Sequence, residues 1–218
     1  MNHPSSSLKR QSNWTNLYFY QKSDVLYQLT VVFCERFLPR YGDRTVDQMV
    51  QAARSGKQNI VEGLADGITS TELQLKLLNV ARASLQELHE DYRDYLHSHN
   101  QKQWGSAHPR FKPMQDYCKS NNNVAQYKHY FERRTDVEMA NCAITLCHMT
   151  DVLIMRYIQK LDSAFVQEGG IKERMHAART GYRQGQDERL KFLEKENSQL
   201  KNEIERLKTL LAQHGIVH

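Results

Sequence analysis

The sequence predicts an all-α protein: an antiparallel four-helix bundle followed by a C-terminal parallel coiled-coil helix. Three observations predict it. Apolar residues recur at threes and fours over long stretches, and nowhere does the alternation of a half-buried strand compete with them. The 218 residues hold only four prolines and ten glycines, most of them grouped at 39–42, 63–67, 109–113 and 169–170, so long segments are free to be helical. After Leu190 the broad apolar stripe narrows to a strict heptad.

The first helix is expected from about Ser23 to Leu38. Ser23 and Asp24 suit an N-terminal cap, and Val25, Leu26, Leu29, Val32, Phe33 and Phe37 follow at helical spacing. Pro39 stops it, and Leu17 to Tyr20 either extend it or pack as an aromatic lead-in. The second opens on the capping box Thr45-x-x-Gln48 and runs to about Leu64. Its interior Gly56 costs about 1 kcal/mol relative to alanine, so a close-packed neighbouring helix is the expected reason for keeping it.

The third opens on Thr69-x-x-Glu72. Leu73, Leu77, Val80, Ala81, Ser84, Leu88, Tyr92 and Tyr95 form its stripe, widened by Leu75, Leu78 and Leu85. The fourth opens on Thr135-x-x-Glu138 and continues to about Gln167; Ala140, Ile144, Cys147, Ile154, Ile158, Leu161 and Phe165 share one face, whose single acidic interruption, Asp151, is expected in an ion pair or partly exposed. Short connections between such helices make an antiparallel bundle the economical packing. The expected organisation is a flexible segment over 1–16, the bundle over 17–168, a linker over 169–186 and a coiled coil over 187–213. An insertion over 98–134 separates the third and fourth helices.

Leu190, Leu193, Asn197, Leu200, Ile204, Leu207 and Leu211 step by alternating threes and fours. Leucine at every d position and a single asparagine at a favour two parallel strands, because paired asparagines must meet at one level. The charges agree with that pairing. In a parallel, in-register homodimer Arg189 faces Glu194, Glu196 faces Lys201, and Glu203 faces Lys208, all opposite in sign. Arg174, Arg179, Arg183 and Arg189 precede the zipper as in a basic-zipper DNA binder. However, Met175 stands where that family carries asparagine, and Gly181 and Gly185 are expected to interrupt the helix.

The net charge is +5, and its distribution is informative. From Ser98 to Arg134 seven basic residues face two acidic ones, interleaved with six Trp, Phe and Tyr side chains. Such a segment can track phosphates and stack on bases. Lys112, Lys119, Lys128, Arg133 and Arg134 are therefore candidate phosphate contacts, and Trp104 and Tyr127 candidate stacking surfaces. The alternative is a solvated connection whose aromatics dock it to the bundle.

Other chemistry is not indicated. Phosphate-binding glycine loops and a nucleophile elbow are absent, so no catalytic residues and no cofactor are expected. Cys34, Cys118, Cys142 and Cys147 form no Cys-x-x-Cys. Cys142 and Cys147 would diverge on a helix, so reduced, buried thiols are expected rather than a metal site. No run of 18 apolar residues and no secretory leader is visible, which points to the cytoplasm without a membrane partner.

Gln48, Ala52-Ala53, Ser55 and Asn59-Ile60-Val61-Glu62-Gly63, followed by Glu72 to Leu88 with Ala81, Ser84 and Glu87-Leu88, resemble helices two and three of a bacterial four-helix bundle family. Its members include proteins encoded in intervening sequences of large-subunit ribosomal RNA genes and the accessory variability determinants of diversity-generating retroelements. The resemblance covers 17–96 clearly and the fourth helix weakly. It implies an antiparallel bundle, self-assembly (often as pentameric barrels), and a basic surface contacting nucleic acid or a reverse transcriptase. The long insertion departs from the family's short turn, and the tail looks like a suffix carried by some members. The expected function is thus a non-enzymatic homo-oligomer that binds RNA or DNA or serves a nucleic-acid enzyme. The alternative is a protein–protein adaptor assembled through the coil.

Overall fold

The computed structural model describes residues 14–39, 44–66, 70–168 and 171–213. Among them there is no strand: after a short 3-10 turn at Trp14–Asn16 come α1 (Tyr18–Phe37), α2 (Arg44–Asp66), α3 (Thr71–Ser98), α4 (Phe111–Ser120), α5 (Val124–Arg133), α6 (Asp136–Glu168) and α7 (Ile171–Gln213). The chain divides into two compact units, Met1–Glu168 and Gly169–His218. The Gly169-Gly170 joint lies outside the described residues.

In the first unit α2 packs along α3, α6 lies against both α1 and α3, and α1 also meets α2. The spacing of buried side chains explains each contact. On α2, Met49, Ala53, Gly56, Ile60 and Gly63 step by fours and threes into the core. On α3 the buried set is Leu78, Ala81, Leu85, Leu88, Tyr92 and Tyr95, the two tyrosines packing on Phe33 of α1. Most of the expected α3 stripe is thus buried, but Leu73 and Val80 at its N-terminal end stand exposed while Gln74 is buried. Small residues let α2 and α3 come close. A Cβ built on Gly56 would stand 3.0 Å from Leu85 Cδ2 and 3.7 Å from the Ala81 carbonyl oxygen. Ser55 and Ser84 hydroxyls hydrogen-bond at 3.0 Å across the same contact.

Helix starts and stops follow local chemistry. α1 begins five residues before the expected cap: Phe19 is buried, and Ser23 sits inside the helix with its hydroxyl donating to the Tyr20 carbonyl at 2.7 Å. At the start of α3 the cap is Ser70, whose hydroxyl accepts from the Leu73 N–H at 3.2 Å, rather than Thr69, which lies outside the described residues. That helix ends in a Schellman motif. Asn100 takes φ 54°, its N–H donates to His97 O, and the Gln101 N–H donates to Leu96 O at 2.8 Å. The capping box at Thr135 closes with Glu138 as expected: the Thr135 N–H donates to Glu138 Oε2 at 3.1 Å and the Glu138 N–H to Thr135 Oγ1 at 3.3 Å.

Ion pairs join the long helices. Lys57 meets Asp24 at 2.6 Å between α2 and α1, and Arg82 meets Asp151 at 2.6 Å between α3 and α6. Asp151 is thereby the paired carboxylate the sequence suggested. Among the described residues, one stretch, Asp136–Ser163 of α6, is long and apolar enough to cross a membrane. Here its Met139, Ala140, Ala143, Leu146 and Ile154 side chains are buried in the core.

The insertion is not a solvated connection. α4 and α5 form within it, and Met114, Cys118, Tyr127, Tyr130 and Phe131 enter the core cluster. Asn123 and Gln126 close a reciprocal capping box that starts α5. Two cations from α1 end both short helices: the Lys22 ammonium donates to the Cys118 carbonyl in the last turn of α4, and the Arg36 guanidinium donates to the Phe131 carbonyl in the last turn of α5. A helix leaves its final carbonyls unpaired and its C-terminus electronegative, so a cation there both satisfies an acceptor and meets the dipole.

The second unit is α7 alone, 43 residues of continuous helix. The expected linker over 169–186 is therefore helical wherever it is described. Gly181 and Gly185 lie within it with nothing within 4 Å of a built Cβ. An exposed helical glycine costs about 1 kcal/mol and weakens a helix without obliging it to break.

Candidate interaction surfaces

Two surfaces stand out, one on each unit. On α7, the apolar a and d residues Leu190, Leu193, Leu200, Ile204, Leu207 and Leu211 are between 42% and 57% exposed. Charged residues flank them, with Lys208 bonded to Glu205 at 2.9 Å and Arg206 to Glu203 at 3.7 Å along the same helix. Asn197 is exposed at the same seam.

On the first unit, the sequence-selected cations do not gather into one patch. Lys112 and Lys119 lie on α4, and Lys128 and Arg133 stand exposed on α5. Arg134 is committed to Glu138 at 3.1 Å, together with Arg110 at 3.1 Å, and its guanidinium lies over the Tyr130 ring. The Glu138 carboxylate is held below the ordinary carboxylate range: burial would raise it, but the Thr135 N–H and the two arginines outweigh that.

Both candidate stacking residues are buried. Trp104 is 8% exposed, its backbone N–H donates to Asn141 Oδ1 at 2.7 Å, and its ring stacks on His108 at 4.6 Å. Tyr127 is fully buried beside Tyr117 and Tyr130, its hydroxyl donating to the Asn121 carbonyl. Burying large aromatic area stabilises α4 and α5 on the core; Tyr127 keeps no face open to a base, whereas Trp104 still lines a pocket beside α4 and α6.

Lys112 and Lys119 line a groove of about 720 Å³ between α4 and α6. Three further basic side chains, Lys22 of α1 and His148 and Arg156 of α6, share it, and Met149, Val152 and Leu153 supply an apolar floor. Asp116, 3.0 Å from Lys112, is the acidic group there. Lys22 is 4% exposed, and burial pushes its ammonium below the ordinary lysine range. Two of its three donors are used, on Cys118 O and on Asn122 Oδ1 at 2.9 Å.

Sequence reasoning missed Lys22, His148 and Arg156 because a charge count along one segment does not collect side chains from other helices. The spacing 148–152–156 did carry a signal, placing three α6 residues on one face. Beyond the groove, a pocket of about 220 Å³ shares Gln115, His148 and Met149 with it.

Among the α2 residues singled out in the sequence, Ala52 and Ala53 are buried, and Asn59 donates to the Ser55 carbonyl within the helix at 2.9 Å. Glu62 stands exposed. All four cysteines are buried, Cys118 Sγ lying 3.6 Å from Cys142 Sγ. Among the described residues no group of three potential metal ligands converges. Comparison with protein-family models, with curated proteins and with solved structures returned no match.

Proposed function

We propose that the chain is a non-enzymatic scaffold that pairs with a second copy through a parallel two-stranded coiled coil and holds nucleic acid on its basic faces. In this reading α1, α2, α3 and α6 are the antiparallel four-helix bundle, with α4 and α5 docked on it. The observation that carries it is the α7 stripe. Six apolar side chains are left half in water along one narrow seam, with charges that match only a parallel, in-register copy. Each apolar side chain covered in such a seam contributes up to about 1.5–3 kcal/mol before ordering costs. Three heptads alone are marginal, so the coil sets stoichiometry without binding irreversibly.

The nucleic-acid part rests on Lys112, Lys119, Lys128 and Arg133, which are exposed on α4 and α5, and on the family resemblance. With Tyr127 buried and Trp104 confined to a pocket wall, contact along a strand is chiefly through phosphates. That same burial favours the adaptor as the second reading, in which the charge serves solubility and the partner is a protein such as a reverse transcriptase.

Sedimentation of the whole chain over a concentration range tests assembly: a monomer–dimer equilibrium is expected, a pentamer would replace the zipper by a barrel contact, and a strict monomer overturns it. Filter binding of single-stranded RNA at several salt concentrations tests the rest. Lys119→Ala, Lys128→Ala and Arg133→Ala together should flatten the log–log salt slope by about two units. Retention no better than that of a neutral control protein at low salt would leave the adaptor.

A further inference from the structure

The pocket beyond the α4–α6 groove has walls of mixed chemistry. Trp104, Phe111, Met114 and Ile144 offer apolar faces, and Gln103 and Thr145 offer polar edges. At about 220 Å³ it exceeds the roughly 150 Å³ that holds a benzene ring. It opens past Gln115, His148 and Met149 into the groove where Lys22, Lys112, Lys119 and Arg156 face one acidic residue, Asp116. Pocket and groove together fall inside the roughly 300–1,000 Å³ range of small-ligand sites.

A planar ring with hydrogen-bonding edges fits the first compartment, and an anion fits the second. The span supports a small occupant: along α4 the groove runs from Lys112 to Ser120, and along α6 from His148 to Arg156, each about 12 Å of helix. One or two nucleotides fill that length.

The geometry points to a nucleoside-phosphate site, with the base in the Trp104–Phe111–Ile144 pocket and the phosphate on Lys112, Lys119 and Arg156. Lys22 stands at the groove wall with a third N–H beyond the two bonded to Cys118 and Asn122. An anion beside it offsets the desolvation of its ammonium. A free nucleotide and an unpaired nucleotide of a bound strand present the same chemistry. The site rests on the nucleic-acid reading only for the strand.

The chain has two tryptophans, so Trp14→Phe leaves Trp104 as the sole fluorescent reporter, in the pocket wall. The whole chain carrying that substitution is titrated with AMP, UMP, adenosine, inorganic phosphate and a short single-stranded RNA. Saturable change in Trp104 emission with AMP or UMP, severalfold tighter than with adenosine or phosphate, is the expected result. Change with the strand alone supports the site and assigns its source to the strand. Thr145→Phe, which fills the pocket from α6, should abolish the signal, and Lys119→Ala on the exposed rim should weaken it severalfold while leaving the fold's circular dichroism unchanged. No response to any nucleotide or strand at millimolar concentration overturns the proposal, as does a response to phosphate equal to that to AMP, or unaltered AMP binding by both variants. RNA held on filters with Trp104 silent would leave the nucleic-acid reading standing and remove this site.

Discussion

α6 and α7 are both long helices, 33 and 43 residues, yet their apolar side chains meet opposite fates. On α6 the buried set (Met139, Ala140, Ala143, Leu146, Cys147, Ile154) wraps around enough of the circumference to meet both α1 and α3. On α7 the leucines keep to a single seam and stay about half exposed. Width separates the two: a broad stripe is satisfied inside one chain, whereas a narrow 3–4 stripe fits a second helix of the same pitch.

The sharpest way to break that comparison is to truncate one residue from each stripe. Ile154→Ala should cost about 2–5 kcal/mol of the first unit's stability at any protein concentration, because it opens a cavity in a fully buried position. Leu200→Ala should leave that transition in place and shift only a concentration-dependent one. Thermal melts at two widely separated concentrations check both. A concentration-independent loss of the first unit's stability on Leu200→Ala would show that the seam serves the first unit instead.

Next in size is the α2–α3 contact. Ala53 is 1% exposed and shares its face with Gly56. Ala53→Leu should therefore cost about 1–3 kcal/mol by overpacking. Arg54→Ala, one residue away and exposed, should change stability by less than about 0.5 kcal/mol. Equal midpoints in chemical denaturation would remove close packing as the reason for the small residues. Lys57 would be a poor control, since it is tied to Asp24.

A smaller effect resides in the cap of α6. Glu138 receives the Thr135 N–H, Arg110 and Arg134, and its folded carboxyl titrates below the ordinary 4.5. A depressed folded value means the stabilisation is fully present above about pH 4.5 and drains away as pH falls through that lower value. Glu138→Gln should cost about 0.5–2 kcal/mol near neutrality, and the gap from the wild type should close in acid. Melts from pH 7 to pH 3 read it; a constant gap would mean the carboxylate's charge is immaterial.

The long helices of the first unit were legible in the sequence to within about five residues, because the 3.6-residue period and the capping boxes are local. Thr135 with Glu138 shows this best. α4, α5 and the 171–186 part of α7 were not legible. What depends on depth was less legible. The aromatics of 98–134 read either as ligand surfaces or as anchors, and only packing against α1 and α6 shows Trp104 and Tyr127 to be buried. Lys22 looks like an ordinary surface lysine in the first helix until the end of α4 is placed over it. Gly181 and Gly185 were overweighted as breakers because a propensity cost of about 1 kcal/mol each was treated as a boundary.

The finest test of the α7 side of the comparison concerns its charges. If two copies pair in parallel and in register, Glu196 of each faces Lys201 of the other, giving two symmetric pairs. Exposed pairs of this kind are worth about 0.2–1 kcal/mol each, and like-charged neighbours cost a similar amount. Glu196→Lys alone should weaken dimerisation by roughly 0.5–2 kcal/mol, and Lys201→Glu alone should do the same. The double substitution restores both attractions with reversed signs, so it should bring affinity back near the wild type, and the coupling should shrink as salt is raised. In an antiparallel or shifted pairing the two positions no longer meet, and the single effects would simply add. Sedimentation equilibrium of the wild type, both singles and the double at two salt concentrations separates the cases, since only the parallel register makes the second change cancel the first.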